Sequence, residues 1–203
     1  RKAARDMAAE TFVLLKNDNN ILPLKRQGTI ALVGPLADTR NNIPGTWCFA
    51  YKPELYSTIK ESMQRYLGNS AKLVYAQGSN IYADSTMQAN ASFGKTIKWG
   101  DSKKMLDEAV EAAKSSDVVV ACLGELAEMS GESSTRTNLN LPDVQKNLLK
   151  ALLATGKPVV LLNFSGRPTI LTWESQNVPA IMNVWFGGSE TGDALCDVLF
   201  GDK

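Results

Sequence analysis

The 203-residue chain is 44% hydrophobic and carries 22 Lys plus Arg against 21 Asp plus Glu, with three cysteines and no histidine. That length and apolar content suit one well-buried core rather than two, and a formal charge of +1 supplies no cationic surplus for a nucleic acid or an anionic membrane surface. Without histidine the chain holds no Ser-His or Cys-His dyad, and Cys48, Cys122 and Cys196 are far apart with no C-x-x-C pair, so no zinc site, redox dithiol, metal or cofactor is expected.

In chain order, RKAARDMAAETFVLLKN (1–17) reads as a charged, Ala-rich amphipathic helix without the layout of a signal peptide. No apolar run approaches the roughly 20 residues that span a bilayer. TIALVG (29–34) reads as a strand. Residues 54–67 place Leu55, Ile59, Met63 and Tyr66 at helical spacing, KLVYA (72–76) reads as a second strand, and the Asn/Ser-rich segment 77–100 as a solvent loop. Residues 102–114 repeat the helical pattern with Leu106, Ala109, Val110 and Ala113, and DVVVACLG (117–124) is a nearly continuous apolar strand. The next helix opens at Pro142 and Asp143, carries Val144, Leu148, Leu149 and Leu152, and stops at Gly156. KPVVLLNFS (157–165) and PAIMNVWF (179–186) complete the strands, with helices expected over 169–175 and 189–199.

Strands alternating with helices predict an α/β fold: a three-layer sandwich with a mainly parallel sheet of about six strands, helices on both faces, and a single domain over 1–203. Ligands of open parallel sheets gather at the carboxyl ends of the strands. Those ends read GPLADTRNNIPGTW, GELAEMSGESSTRTNLNLP, SGRP and GGSETG, and the first two are long loops of the kind that carry function. Neither a dinucleotide G-x-G-x-x-G nor a P-loop G-x-x-x-x-G-K-[ST] stands there, which weakens a nucleotide-binding reading.

The ordered motifs AARDMAAETFVLLKNDNNILPL, IALVGPLAD, SDVVVACLGE, SGESSTRTNLNLP, GKPVVLLNFSGRP and VWFGGSETGDALCDVLFGD span nearly the whole chain. Together they resemble the second, C-terminal α/β sandwich domain of glycoside hydrolase family 3, most like its bacterial periplasmic β-glucosidases. The resemblance implies an excised domain whose residues 1–28 are the helix and connection leaving a catalytic (β/α)8 barrel, with a fibronectin-like domain following. It also implies a periplasmic or secreted retaining β-glycosidase, a β-glucosidase first of all, acting on β-linked glycosides. The barrel would supply the aspartate nucleophile. A noncatalytic carbohydrate-binding or scaffolding sandwich is the alternative.

Retaining hydrolysis needs a second carboxyl that protonates the leaving oxygen and then activates water. In family members whose acid/base lies in this domain it is the glutamate of a pattern like S-G-E followed four positions later by Arg, which SGESSTR matches with Glu132 and Arg136. Arg136 either orients or pairs with that carboxylate, binding near substrate, or forms an ordinary salt bridge on a solvated loop. Glu125, in the GE turn, fits loop bracing, and Glu128 matches no motif. Trp47, in IPGTWCF, is either a stacking wall for a sugar ring or a plug in a domain interface. Asp38 and Glu190 are expected to brace loops, and Arg167 to make an interdomain contact.

Overall fold

The computed structural model describes residues 1–48, 50, 52–93 and 96–203. Phe49, at the end of the IPGTWCF motif, and residues 94–95 of the expected solvent loop lie outside the described residues. A six-stranded sheet in the order β1-β6-β5-β4-β2-β3 forms the centre. Its strands are β1 (Val13–Asn17), β2 (Thr29–Val33), β3 (Lys72–Ala76), β4 (Val118–Gly124), β5 (Val159–Phe164) and β6 (Ala180–Asn183). All neighbours are parallel except β1, which runs antiparallel to β6 with a register shift between Leu14 and Lys16.

Alternating strand residues feed two cores. Ile30, Leu32, Val120, Cys122, Val160 and Leu162 face α2 (Ile59–Leu67) and α7 (Thr191–Leu199). Ala31, Val33, Val119, Ala121, Leu123, Val159 and Leu161 face α4 (Ser102–Lys114) and α5 (Asp143–Leu153). Both cores consist of residues almost wholly withdrawn from water, which is why β4 and β5 read as unbroken apolar runs instead of alternating ones. Helix α1 (Lys2–Thr11) packs on α7 through a set of ion pairs, Arg5 with Asp193 and Asp197 and Arg1 with Glu190.

Three expectations are corrected. The helix expected over 1–17 ends at Thr11. Phe12 is extended (φ −69°, ψ 138°), and Val13–Asn17 becomes the sixth strand at the sheet edge, so residues 13–17 belong to the sheet and not to a connection. The helix expected from Glu54 begins at Ile59, because Thr58 and Glu61 close a reciprocal capping box there, while Pro53–Leu55 forms a separate 3₁₀ turn with Leu55 exposed. The segment 77–100 is no solvent loop. It contains α3 (Ser85–Asn90) and buries Ile81, Gln88, Ala91 and Ile97. Amide side chains replace the absent ladder: Gln88 accepts from Ile81 N and donates to Ile97 O, and Asn80 exchanges two hydrogen bonds with Gly100. The remaining shifts are small, α6 covering Thr172–Asn177 and α7 starting at Thr191.

Candidate active-site edge

Adjacent strands β2 and β4 send their chains to opposite faces, β2 to α2 and β4 to α5, so the crevice between their carboxyl ends is the topological switch point of the sheet. Both exits need glycine. Gly34 has φ +125° and a Cβ there would sit 2.2 Å from Cys122 O; Gly124 has φ +138° and its Cβ would meet Phe164 O at 1.9 Å. Beyond β4 the wholly buried Gln145 of α5 takes the place of a neighbouring strand, accepting from Gly124 N at 2.8 Å and donating to Gly124 O at 2.9 Å.

The two long loops leaving this crevice are tied to each other. Buried Asn42 accepts from Ala127 N at 2.6 Å and donates to Glu125 O at 3.3 Å, and the Thr46 hydroxyl donates to Ala127 O at 3.1 Å. Where they meet, a Cβ on Gly131 would lie 2.5 Å from the Thr46 methyl. The residues that follow these two contacts are Trp47 and Glu132, so the structure brings together the chain beside two candidate site residues that the sequence keeps 85 positions apart. Trp47 is 64% exposed. Glu132 is exposed and makes no hydrogen bond or ion pair among the described residues, and the backbone turns immediately after it, Ser133 having φ +62°.

The other carboxylates of the loop are engaged. Glu125 is 1% exposed and accepts from Arg136 Nη1 at 2.5 Å, with Arg167 Nε 3.7 Å from the same oxygen. Arg136 thus turns toward Glu125 and not toward Glu132, and its second nitrogen donates to Asn140 O at 3.0 Å. Arg167 donates to Met129 O within the domain, and a Cβ on the preceding Gly166 would fall 2.1 Å from Ser130 Oγ. Glu128 accepts from Ser92 N at 2.5 Å and Phe93 N at 3.3 Å and lies 3.5 Å from the Tyr82 hydroxyl, fastening segment 77–100 to this loop. Burial first, and the neighbouring Glu128 carboxylate second, push the Tyr82 phenol up to about 12. Tyr82 and Met87 form one wall of an open cavity of about 350 Å³ whose other side is Ser134, Thr135 and Arg136.

Asp38 accepts from the Thr58 hydroxyl at 3.0 Å and from Lys60 Nζ at 2.8 Å, so it joins the β2 exit to the start of α2. Glu190 is buried at the N-terminus of α7 and accepts from Arg1 Nε at 2.8 Å. The residues that sequence reasoning missed are Asn42, whose isolated amide carries no motif, and the Tyr82–Glu128 contact. Among the described residues no group of three His, Cys, Asp or Glu side chains is arranged to hold a metal ion.

A family model for the glycosyl hydrolase family 3 C-terminal domain matches residues 12–203. The periplasmic beta-glucosidase of Salmonella typhimurium is 45% identical over 205 residues, covering 100% of this chain and 27% of its own length. A beta-xylosidase of Formosa agariphila is 34% identical over 208 residues, again across 100% of this chain and 26% of its own. Among solved structures, the beta-glucosidase of Listeria innocua in complex with gluconolactone superposes with a TM-score of 0.82 at 29% identity, over 100% of this chain and 25% of that one. The chain therefore spans about a quarter of the length of the relatives it matches. With motifs, sheet order and family model in agreement, the chain belongs to glycosyl hydrolase family 3, as its C-terminal α/β sandwich domain.

Proposed function

We propose that this domain is the second half of the active site of a retaining β-glycosidase that removes terminal, non-reducing β-linked sugars, with β-glucosides as the first substrate class. The observation that carries the proposal is the Glu132 carboxylate: exposed, without a partner among the described residues, and set beside exposed Trp47 at the switch point while Glu125 and Glu128 of the same loop are occupied. The names of the relatives, beta-glucosidase and beta-xylosidase, support the class of reaction. That of the Salmonella protein supports a periplasmic or secreted location.

In this reading a catalytic barrel elsewhere in the full-length protein presents an aspartate about 5–5.5 Å from Glu132, the separation of a retaining pair. The aspartate attacks the anomeric carbon as Glu132 gives its proton to the departing glycosidic oxygen. Glu132, now a carboxylate, then takes a proton from water, and that water breaks the glycosyl-aspartate ester. A carboxyl free of internal partners can make both transfers without first giving up a hydrogen bond. Trp47 offers a flat apolar face to the C–H side of a pyranose in the leaving-group half of the site.

The test is Glu132→Ala in the full-length protein. Its turnover of substrates with poor leaving groups should fall by about 10²–10⁴-fold, far more than that of aryl glycosides whose phenolate leaves unaided. Azide should restore turnover of the aryl substrate and give a β-glycosyl azide. A uniform loss on all leaving groups without azide rescue would refute Glu132 as the acid/base and favour the noncatalytic sugar-binding sandwich. Because the nucleophile lies elsewhere in this proposal, the 203-residue chain by itself should fold and hydrolyse nothing, and robust turnover of an aryl β-glucoside by it would count equally against the reading.

A further inference from the structure

Glu132 has no side-chain tether among the described residues, so something else must decide where its carboxylate points. The backbone on either side of it is fastened, and both fastenings converge on one buried group. On the N-terminal side, Arg167 donates to the Met129 carbonyl while its Nε stands 3.7 Å from Glu125 Oε1. On the C-terminal side, Arg136 pairs with the same Oε1 at 2.5 Å and donates to the Asn140 carbonyl at 3.0 Å. Glu125 is itself fixed: its peptide N–H donates to Phe164 O at 2.8 Å and its carbonyl accepts from Asn42. The eight residues 129–136 are thus gripped at Met129 and Arg136 from a single carboxylate at the end of the central strand.

The geometry points to Glu125 as a positioning residue for the acid/base: it sets the location of Glu132 through Arg136 and Arg167, and does so without touching substrate. This rests on the reading of Glu132 given above and adds to it the element that holds the loop. Three observations separate it from a surface ion pair. Glu125 is 1% exposed and the two guanidiniums are 18% and 26% exposed, so the charges meet where water screens them little. Each arginine uses a further nitrogen on a loop carbonyl, which makes the carboxylate a hub and not one end of a pair. Finally, Glu125 Oε2 and Arg167 Nε are both buried without a hydrogen bond among the described residues, an acceptor and a donor left open in the same contact. A small rotation of the carboxylate would let Arg167 close on it, and that closure would draw the Met129 side of the loop toward β4.

The hub has an electrostatic consequence in the same direction. Two guanidinium charges flank the loop, and a carboxylate between them offsets both, hydrogen-bonded to Arg136 and 3.7 Å from Arg167 Nε, leaving Glu132 uncommitted and able to accept and release a proton. Without Glu125, Arg136 would be left with the other carboxylates of the same loop, Glu132 four residues before it and Glu128, which lines the same cavity.

The experiment uses the full-length protein and compares Glu125→Gln with Glu132→Ala. Glu125→Gln keeps the shape and loses the charge. Its kcat on a disaccharide should fall at least tenfold while kcat on an activated aryl glycoside changes less than threefold, the split that marks an impaired proton donor. Loss of fold would lower both together and would show as a lowered thermal midpoint. Arg167→Gln, which releases only the Met129 grip, guards against a Glu125→Gln protein that does not fold. It should show the same split at several-fold size. If both variants fold and cleave both substrates at the parental rates, the inference is overturned. If Glu132→Ala shows no split, the reading of Glu132 has failed; if Glu132→Ala shows it and the other two do not, the hub alone has failed.

Discussion

The sheet and the loops at its carboxyl edge are held by different forces. Between β4 and β5 nearly every side chain is apolar and fully buried, and order comes from many small contacts spread over area. A few residues further on, the Glu132 loop is held by a handful of directed contacts from Asn42, Thr46, Arg136 and Arg167. Removing one contact from the first region is felt by the whole fold. Removing one from the second changes the position of one loop. A site that must hold a free carboxylate next to a sugar is best built the second way, because each polar contact fixes direction as well as distance.

The sharpest way to tell the regions apart is chemical. Cys122 and Cys196 lie in the sheet core at 0% exposure, and burial pushes the Cys122 thiol far above its ordinary range; the Cys196 thiol is pushed up to about 12 by burial, with Asp193 and Asp197 adding to it. Cys48 follows Trp47 on the half-buried loop. Because the thiolate is the reacting species, a thiol reagent at neutral pH should label the native 203-residue chain at Cys48 and reach the other two when the chain is denatured. Peptide mapping that finds Cys122 labelled as fast as Cys48 would mean that the core opens as readily as the edge.

Next in size is a cavity in the core. Leu148 of α5 is fully buried and lies against Gly78 and Ala109, so Leu148→Ala should cost about 2–5 kcal/mol. In the full-length protein, thermal unfolding should fall clearly while kcat at a temperature below the transition stays near the parental value. Asn42→Ala should reverse that ratio. It leaves the buried Ala127 N–H and the Glu125 carbonyl without their partner, a loss of about 1–3 kcal/mol, yet it unties the Trp47 loop from the Glu132 loop, and activity should fall more than it does for Leu148→Ala. Equal activity in the two variants would break the division between the regions.

How much of this the amino acids announce follows the same division. Strands β2, β4, β5 and β6 are legible because burial on both faces writes unbroken apolar runs, and helices α4 and α5 because one buried face recurs at helical spacing between signals such as the Asp101 cap and the stop at Gly156. Strand β1 is not. FVLLKN after an Ala-rich helix fits either structure over so short a run, and only its pairing with β6 decides, at an edge where Val13, Leu14 and Leu15 stay exposed. Segment 77–100 misleads because its order comes from Gln88 and Asn80 bonding to backbone, which composition alone cannot distinguish from a solvated polar loop. At the site, the pattern SGESSTR singles out Glu132 and Arg136. The motif leaves Arg136 either oriented toward Glu132 or in an ordinary salt bridge on the loop, and the buried end of β4 offers it a less solvated carboxylate, Glu125.

The smallest expected effect concerns the far end of the Trp47 loop, where the chain enters α2. Thr58 is 1% exposed, and its hydroxyl has two jobs: it accepts from Glu61 N at 3.1 Å and donates to Asp38 Oδ1 at 3.0 Å. The Glu61 carboxylate returns the bond to Thr58 N at 2.9 Å. Thr58→Ala removes the cap and one of the two donors to Asp38, leaving Lys60 as the other. Loss of an N-cap hydroxyl costs about 0.5–2 kcal/mol, and Thr58→Ser, which keeps both bonds, should stay close to the parental protein. Since Asn42 and Thr46 still tie the loop to its neighbour, Thr58→Ala should lower the unfolding midpoint slightly and leave the ratio of disaccharide to aryl-glycoside turnover unchanged. A change in that ratio with Thr58→Ala but not with Thr58→Ser would show that the entry to α2 also sets the position of the proposed catalytic edge, and the contacts around Asn42 would then be only part of what holds it.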